Sequence, residues 1–296
     1  MPEQPLVPLL RRTILVEILA ALGLSPQGWS SKPLSLLFWP PAHLFARLMA
    51  GIDRIIGEKG LPTAAGQLLP RFVDHVCVVG RELIPREGPL LIASNHPGAY
   101  DVVAILANMP RDDLKLIVSD VPFLHSLPFA SQHMIYTPPG AQARMLAVRG
   151  IIRHMQQDGA VLIFPSGLVD PDPDVIPGAG QELNKWSPSL DLVMEKVPQT
   201  RLLVTIVSGV LAPACLRSPL TRIPKERWQK QKLAVFLQVI QQLVFFRKFD
   251  LKPRLSFGEA KTAAELLSES MFADLHQAII QSALRVLDSH CQPAAI

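Results

Sequence analysis

From about residue 72, short runs rich in apolar and β-branched residues alternate with longer stretches of helical periodicity. Strands that alternate with helices are typical of α/β domains, in which helices cross over between strands of one sheet. We therefore predict an α/β fold with a mixed sheet flanked by helices. The predicted strands cover residues 76–79, 90–94, 114–118, 134–137, 161–164, 202–207 and 254–257.

The segment before this pattern reads as helices interrupted at prolines and glycines, among them Pro40-Pro41 and Gly60. We divide the chain into a helical N-terminal element, residues 1–71, and an α/β domain, residues 72–296. Within the α/β domain the predicted helices cover residues 101–109, 141–157, 186–196, 229–247 and 263–289. Thr262 and Glu265 form the sequence pattern of a capping box at the start of the last helix.

The composition is apolar: 49% of the residues are hydrophobic and 18% are charged, with a mean hydropathy of +0.26. This excludes an intrinsically disordered chain. No apolar stretch reaches the roughly 18 residues that a membrane-spanning helix needs. The high share of apolar residues therefore favours a lipid substrate or a protein surface that contacts a membrane. The three cysteines, Cys77, Cys215 and Cys291, have no Cys-x-x-Cys spacing. They favour a reducing compartment, and we expect a cytoplasmic protein with no metal site.

Positive charge is concentrated in residues 217–261, which hold eleven Lys and Arg against three Asp and Glu, whereas the rest of the chain has a net charge of −4. These cations bracket an apolar run at residues 233–246. Cations around an apolar helix favour peripheral contact with an anionic membrane over binding to nucleic acid. A buried helix with solvated charged ends remains an equally good interpretation.

One motif has the residues for acid–base chemistry. The predicted strand 90–94 leads into Asn95-His96-Pro97-Gly98-Ala99-Tyr100-Asp101, and helical pattern follows. Asp101, one helical turn after His96, can accept a hydrogen bond from the imidazole and make it a general base. No Ser or Cys stands in a nucleophile motif beside it, so we expect a substrate hydroxyl to be activated. The alternative is a helix-capping turn with a structural histidine, in which Asn95 and Tyr100 only hold the turn.

The Asn95-His96-x-x-x-x-Asp101 motif resembles the one that marks the glycerol-phosphate and lysophosphatidate acyltransferase superfamily. Phe164-Pro165-Ser166-Gly167 is similar to the Phe-Pro-Glu-Gly block of that superfamily, and residues 134–136 and 205–210 are weaker matches. The resemblance spans about residues 72–260. It implies an acyltransferase-like fold and phospholipid or glycerolipid synthesis, in which acyl-CoA or acyl carrier protein donates a fatty acyl group to a lipid alcohol without any other cofactor.

In such a reaction His96 is the general base and Asp101 orients it. The residues expected to bind substrate are Asn95, Tyr100, Phe164, Pro165, Ser166, Gly167 and Arg144.

Two departures from the superfamily pattern bear on the acceptor. Ser166 stands where the third block has Glu, with Leu168-Val169 in place of Thr-Arg, and the arginine of the second block falls at Pro138 or Pro139. Those arginines pair with the phosphate of the acceptor, as a guanidinium fork does well. We therefore predict an acceptor without a terminal phosphate, unless Arg144 or Arg149 takes over.

Two other functions remain open. The altered third block is compatible with a lipid-binding protein of the same fold that has lost catalysis, although a binding protein has no need of the His96 and Asp101 pair. An acyl-thioester hydrolase would use the same base to activate water instead of a lipid alcohol.

Overall fold

Seven strands form one mixed sheet in the computed structural model, which describes residues 6–21, 31–222, 225–246 and 248–292. Their order across the sheet is β1-β7-β6-β2-β5-β3-β4. Strands β6, β2, β5, β3 and β4 are parallel, whereas β7 is antiparallel to β6 and β1 is parallel to β7. The predicted α/β fold with a mixed sheet is confirmed. The strands are β1 Cys77–Val79, β2 Leu90–Ser94, β3 Lys115–Ser119, β4 Met134–Thr137, β5 Ala160–Ile163, β6 Arg201–Ser208 and β7 Arg254–Phe257.

The described helices cover both faces of the sheet. Helices α1, α2, α3, α4 and α10 contribute to one buried core, and α6, α8, α11 and α12 contribute to the other. Their bounds are α1 Leu6–Ala21, α2 Ser31–Lys59, α3 Leu61–Leu68, α4 Ala99–Asn108, α5 Pro122–His125, α6 Ala141–Met155, α7 Ala179–Leu183, α8 Ser189–Lys196, α9 Pro213–Leu216, α10 Arg227–Val244, α11 Ala263–Glu269 and α12 Leu275–Cys291. Short 3-10 turns lie at Leu69–Arg71, Arg81–Leu83, Ala130–His133 and Pro219–Arg222.

The parallel strands bring their carboxyl ends to one edge of the sheet. The loops after β2, β5 and β6 lie side by side there, because β2 pairs with both β5 and β6. In open α/β sheets this edge is where ligands bind. The two sequence motifs, at residues 95–101 and 164–167, follow β2 and β5 and are therefore neighbours in space.

The predicted C-terminal helix is wrong in one respect. Residues 263–289 form two helices, α11 and α12, with a break between Glu269 and Leu275. The side chain of Asp274 accepts a hydrogen bond from the backbone N–H of Gln277 at 2.9 Å and starts a new helix there, as an N-cap does. The capping box at Thr262 and Glu265 is confirmed.

Helix α2 differs from the predicted interruption at Pro40-Pro41, since it continues through both prolines. Ala42 and Ala46, which follow the prolines, are buried in the core, and this packing keeps the helix together despite the lost backbone hydrogen bonds. The next interruption is at Gly60, where φ is +82°, as predicted. The division of the chain at residue 71 stays a prediction.

In the part of the chain that is described, no helix has both the length and the low charge needed to cross a bilayer.

Candidate active site

The turn between β2 and α4 brings together the two residues of the predicted acid–base pair. His96 Nδ1 lies 2.8 Å from Asp101 Oδ2, and the Asp101 side chain is fully buried whereas the His96 side chain is 30% exposed. Asp101 also accepts hydrogen bonds from the backbone N–H of Gly98 at 3.0 Å and of Val102 at 2.6 Å. The carboxylate is therefore held in place while it accepts the imidazole N–H, and the His96 Nε2 nitrogen is the one available to a substrate.

The electrostatic surroundings of His96 raise its pKa above the usual value of 6.5. Burial disfavours the charged imidazolium and lowers the pKa, but the negative charge of Asp101, its hydrogen bond and the charge of Asp170 together outweigh that effect. The imidazole thus has an increased affinity for the proton that a general base must take up.

Asn95 and Tyr100 both form hydrogen bonds with distant parts of the chain. The Asn95 side chain donates a hydrogen bond to the carbonyl of Val207 at 2.9 Å and accepts one from its N–H at 2.8 Å, which ties the end of β2 to β6. The Tyr100 hydroxyl donates to Gln242 Oε1 at 2.6 Å, and burial raises the Tyr100 pKa. These bonds support the interpretation in which Asn95 and Tyr100 stabilise the turn over the one in which they bind substrate.

The second motif lies beside the first. The ring centroids of Phe164 and His96 are 4.4 Å apart, so the residue after β5 forms one wall of the site. Pro165 is buried. The Ser166 hydroxyl donates to the carbonyl of Leu168 at 3.1 Å, and Gly167 has a φ of +68°, which favours glycine.

Asp170 is a residue of this site that the sequence analysis missed. Its Oδ2 accepts the backbone N–H of His96 at 2.8 Å, and its own N–H donates to the His96 carbonyl at 2.9 Å. Asp170 is 2% exposed, and burial raises its pKa against the opposing effect of the bond from His96. The sequence did contain a usable signal, since three Asp alternate with Pro at residues 170–174, a few residues after β5.

The other two aspartates of this loop fix the neighbouring loop after β6. The Asp172 carboxylate accepts the N–H groups of Gly209, Val210 and Leu211 at 2.9 to 3.0 Å. Asp174 accepts the Ser208 hydroxyl at 2.7 Å. The loop after β5 therefore holds the loops after β2 and β6 at the edge where His96 lies.

Residues 75–187 match the family model described as Acyltransferase. The chain therefore contains an acyltransferase domain. The matched residues include both motifs, the turn with His96 and the segment from Phe164 to Gly167, so the resemblance drawn from those motifs and the prediction of an acyltransferase are confirmed.

Among solved structures, the crystal structure of the 1-acyl-sn-glycerophosphate (LPA) acyltransferase PlsC from Thermotoga maritima aligns with 97% of this chain and 98% of that chain, at 14% sequence identity and a TM-score of 0.46. No curated protein shows a significant match to the sequence.

Helix α10 packs against the rest of the α/β fold through a face of buried glutamines. Gln231 donates to the carbonyl of Pro97 at 2.9 Å, Gln238 donates to that of Val210 at 2.8 Å, and Gln242 donates to that of Phe72 at 2.7 Å. In the sequence, residues 233–246 were interpreted as one apolar run, and this polar face was missed. The glutamines lie seven and four residues apart, which is a helical spacing that a check for polar periodicity would have found.

The apolar face of α10 lines a groove beside the same turn. A cavity of about 340 Å³ lies between α1, α2, α5 and α10. Val235 lines this groove and also lies next to Gly98 of the His96 turn. The residues lining the groove are Ile14, Glu17, Ile18, Pro41, Ala42, Phe45, Phe123, Lys232, Val235, Phe236, Val239, Ile240 and Leu243.

Arg144 and Arg149 lie on helix α6, which follows β4, and both are exposed. Strand β4 is separated from β2 by β5 and β3, and three strand spacings amount to about 14 Å. Arg144 lies near the start of the helix that leads from β4 to β5, and its role in substrate binding stays a prediction.

Proposed function

We propose that this chain transfers a fatty acyl group from an acyl thioester to the hydroxyl of a lipid alcohol, with a glycerolipid as the leading acceptor class. The observation that carries the proposal is the contact between His96 Nδ1 and the buried Asp101 carboxylate, in a turn at the ligand-binding edge of an acyltransferase domain. Acyl-CoA or acyl carrier protein is the donor.

The reaction follows from the placement of His96. The neutral imidazole accepts the proton of the acceptor hydroxyl at Nε2, and the hydroxyl oxygen attacks the carbonyl carbon of the thioester. A C–O bond forms, the C–S bond breaks, and the imidazolium returns its proton to the leaving thiolate. Asp101 keeps Nδ1 protonated and stabilises the imidazolium between the two proton transfers.

The apolar groove is suited to an alkyl chain. It is lined almost entirely by aliphatic and aromatic side chains and touches the His96 turn through Val235. Burying a hydrocarbon chain there is favourable by about 25 cal/mol per Å² of apolar surface. We assign the fatty acyl chain to this groove.

Release of free thiol from an acyl-CoA, measured with and without a lipid alcohol, tests the function. We expect thiol release to depend on the alcohol, because the base activates the acceptor hydroxyl. Equal release without the alcohol would instead identify a thioesterase. Binding of the acyl-CoA without any release would identify a lipid-binding protein of the same fold.

We further propose that the protein binds the cytoplasmic face of an anionic membrane peripherally. Near the start of α2, Leu36 and Leu37 are 76% and 67% exposed, and the Arg11 guanidinium lies 4.9 Å from the Trp39 ring. At the end of α10, Phe245 is exposed, with Lys248 Nζ 5.2 Å from its ring. Exposed apolar groups next to cations are typical of membrane-surface contacts. Arg247, in the same basic segment, lies outside the described residues.

Binding to vesicles tests this surface. We expect more protein to sediment with anionic vesicles than with neutral ones, and the difference to shrink as salt is raised, because charge attraction is screened within about 10 Å at 0.1 M salt. Equal binding to both kinds of vesicle at low salt would contradict the electrostatic contribution and leave only insertion of apolar side chains.

A further inference from the structure

Four cations from the basic segment line one cavity next to the active site. The cavity, of about 490 Å³, lies between the loop after β5 and the start of α10, and we refer to it as the basic pocket. Its size is within the usual range for small-molecule sites. The residues lining the basic pocket are Ile176, Leu216, Thr221, Arg222, Lys225, Arg227 and Lys230.

The charges in the basic pocket are largely uncompensated. The Arg227 guanidinium is paired, since Nη2 lies 3.1 Å from Glu182 Oε1 and Nη1 donates to the carbonyl of Val169 at 3.2 Å. Within the described residues, Arg222, Lys225 and Lys230 have no carboxylate at ion-pair distance. Like charges held around one cavity repel each other, so the pocket would be stabilised by an anion.

The position of these cations at the start of a helix adds a second, independent indication. Arg227 and Lys230 belong to the first turn of α10, a helix of 18 residues that has Glu226 at its N-cap and no acidic residue in the turn itself. The backbone N–H groups and the positive end of the helix dipole point there, which disfavours cations and favours anions. The same geometry is a common binding site for phosphate groups.

The basic pocket and the active site lie on opposite sides of the loop that contains Val169 and Asp170. Val169, which accepts from Arg227, precedes Asp170, and Asp170 pairs with the His96 backbone. Gln231, one turn after Arg227, donates to the carbonyl of Pro97. A group bound in the pocket is thus separated from the imidazole by the thickness of the loop that contains Asp170.

We propose that the basic pocket binds the phosphate of the acyl donor, which CoA and the phosphopantetheine arm of acyl carrier protein have in common. This inference rests on the proposed acyl transfer. In both donors a long flexible arm separates the phosphate from the thioester, so a phosphate site one loop away from His96 can be reached. In a lysophosphatidate the phosphate is only a few bonds from the attacking hydroxyl, so it does not have the reach that the arm of either donor gives.

A series of donors with the same acyl chain tests the assignment. We compare acyl-CoA, acyl-phosphopantetheine and acyl-pantetheine, of which only the last has no phosphate, in the wild type and in the double variant Lys225→Gln/Lys230→Gln. We expect the double variant to raise the KM for acyl-CoA and acyl-phosphopantetheine by about tenfold with kcat nearly unchanged, as the loss of two solvent-accessible ion pairs would. Its kcat/KM for acyl-pantetheine should equal that of the wild type.

Two further variants serve as controls. Lys225→Arg/Lys230→Arg keeps the charge and should restore the wild-type KM. Lys252→Gln removes one charge from the same basic segment at an exposed residue that pairs with Asp250 at 3.1 Å and does not line the pocket, so it should leave the donor KM unchanged. An equal loss with acyl-pantetheine, an unchanged KM for acyl-CoA, or a raised KM for a phosphorylated acceptor in place of the donor would each overturn the proposal.

Direct binding separates failure of this inference from failure of the proposed function. Adenosine 3′,5′-bisphosphate and phosphopantetheine are titrated by calorimetry into the wild type and the double variant, without acceptor or turnover. Binding of either to the wild type that weakens about tenfold in the double variant supports the pocket, even if no acyl transfer is found. If neither ligand binds the wild type, the assignment of the pocket is wrong, whatever the activity.

Discussion

Replacing His96 with alanine is expected to lower the rate of acyl transfer by about 100-fold or more, the usual contribution of a general base. The His96 side chain is partly exposed and its main protein contacts are with Asp101 and Phe164, so the variant should remain folded. Steady-state kinetics with purified protein, together with a circular dichroism melting curve, measure both effects. A folded variant with wild-type transfer would show that His96 is not the base.

Asp101→Asn should also cause a large loss, because an amide cannot stabilise the imidazolium and permits the wrong imidazole tautomer. The Asp101 carboxylate also accepts the N–H groups of Gly98 and Val102, and the asparagine oxygen can still accept from one of them. The turn should therefore survive better in this variant than in Asp101→Ala. Comparison of the two separates the catalytic contribution of the carboxylate from its structural one.

The pH dependence gives a further check on the same pair. A general base must be neutral, so kcat/KM should fall as the pH is lowered through the pKa of His96, which lies above 6.5. The charge of Asp101 is one of the causes of that raised pKa. In Asp101→Asn the acidic limb of the profile should therefore move to lower pH. An acidic limb that stays in place would mean that it reports another group.

The sheet could be predicted almost completely from the sequence. Residues 90–94, 134–137 and 254–257 were predicted as strands with the observed bounds. The reason is physical, since β2 is buried on both faces and such strands appear as unbroken apolar runs between turn residues. The break between α11 and α12 was missed because the apolar helical pattern continues across it, and only the cap at Asp274 marks the new start.

The site was predictable only where its contacts are local. His96 and Asp101 are five residues apart, and the spacing alone places them on one turn. Asp170 reaches the backbone of His96 from 74 residues away, and a bond to a backbone N–H leaves no mark on the residue type at position 96. The bond from the Tyr100 hydroxyl to the Gln242 side chain also joins residues far apart in the sequence, 142 residues; it was missed, and Tyr100 was assigned to the substrate.

Lysophosphatidate is expected to be a poor acceptor compared with a lipid alcohol that has no phosphate, by orders of magnitude in kcat/KM. Binding a phosphate dianion in a partly dry cleft without a cation costs several kcal/mol. In the structure Arg144 and Arg149 are exposed on α6, the helix between β4 and β5. The Arg227 guanidinium is already bound to Glu182 and to the carbonyl of Val169.

Competition between the two acceptors measures this preference. Lysophosphatidate and a monoacylglycerol with the same chain are offered at equal concentration with one labelled acyl donor, and the two products are separated and counted.

If the product of lysophosphatidate were in excess by tenfold or more, a cation would have to reach the phosphate of this acceptor. The variants Arg144→Gln and Arg149→Gln would then identify which arginine binds the phosphate, with Arg153→Gln on the same helix as the control. Loss of lysophosphatidate use in one of the first two, with transfer to the monoacylglycerol retained, would place the phosphate at α6. Loss in Lys225→Gln/Lys230→Gln would place it in the basic pocket instead, and the donor would need another site.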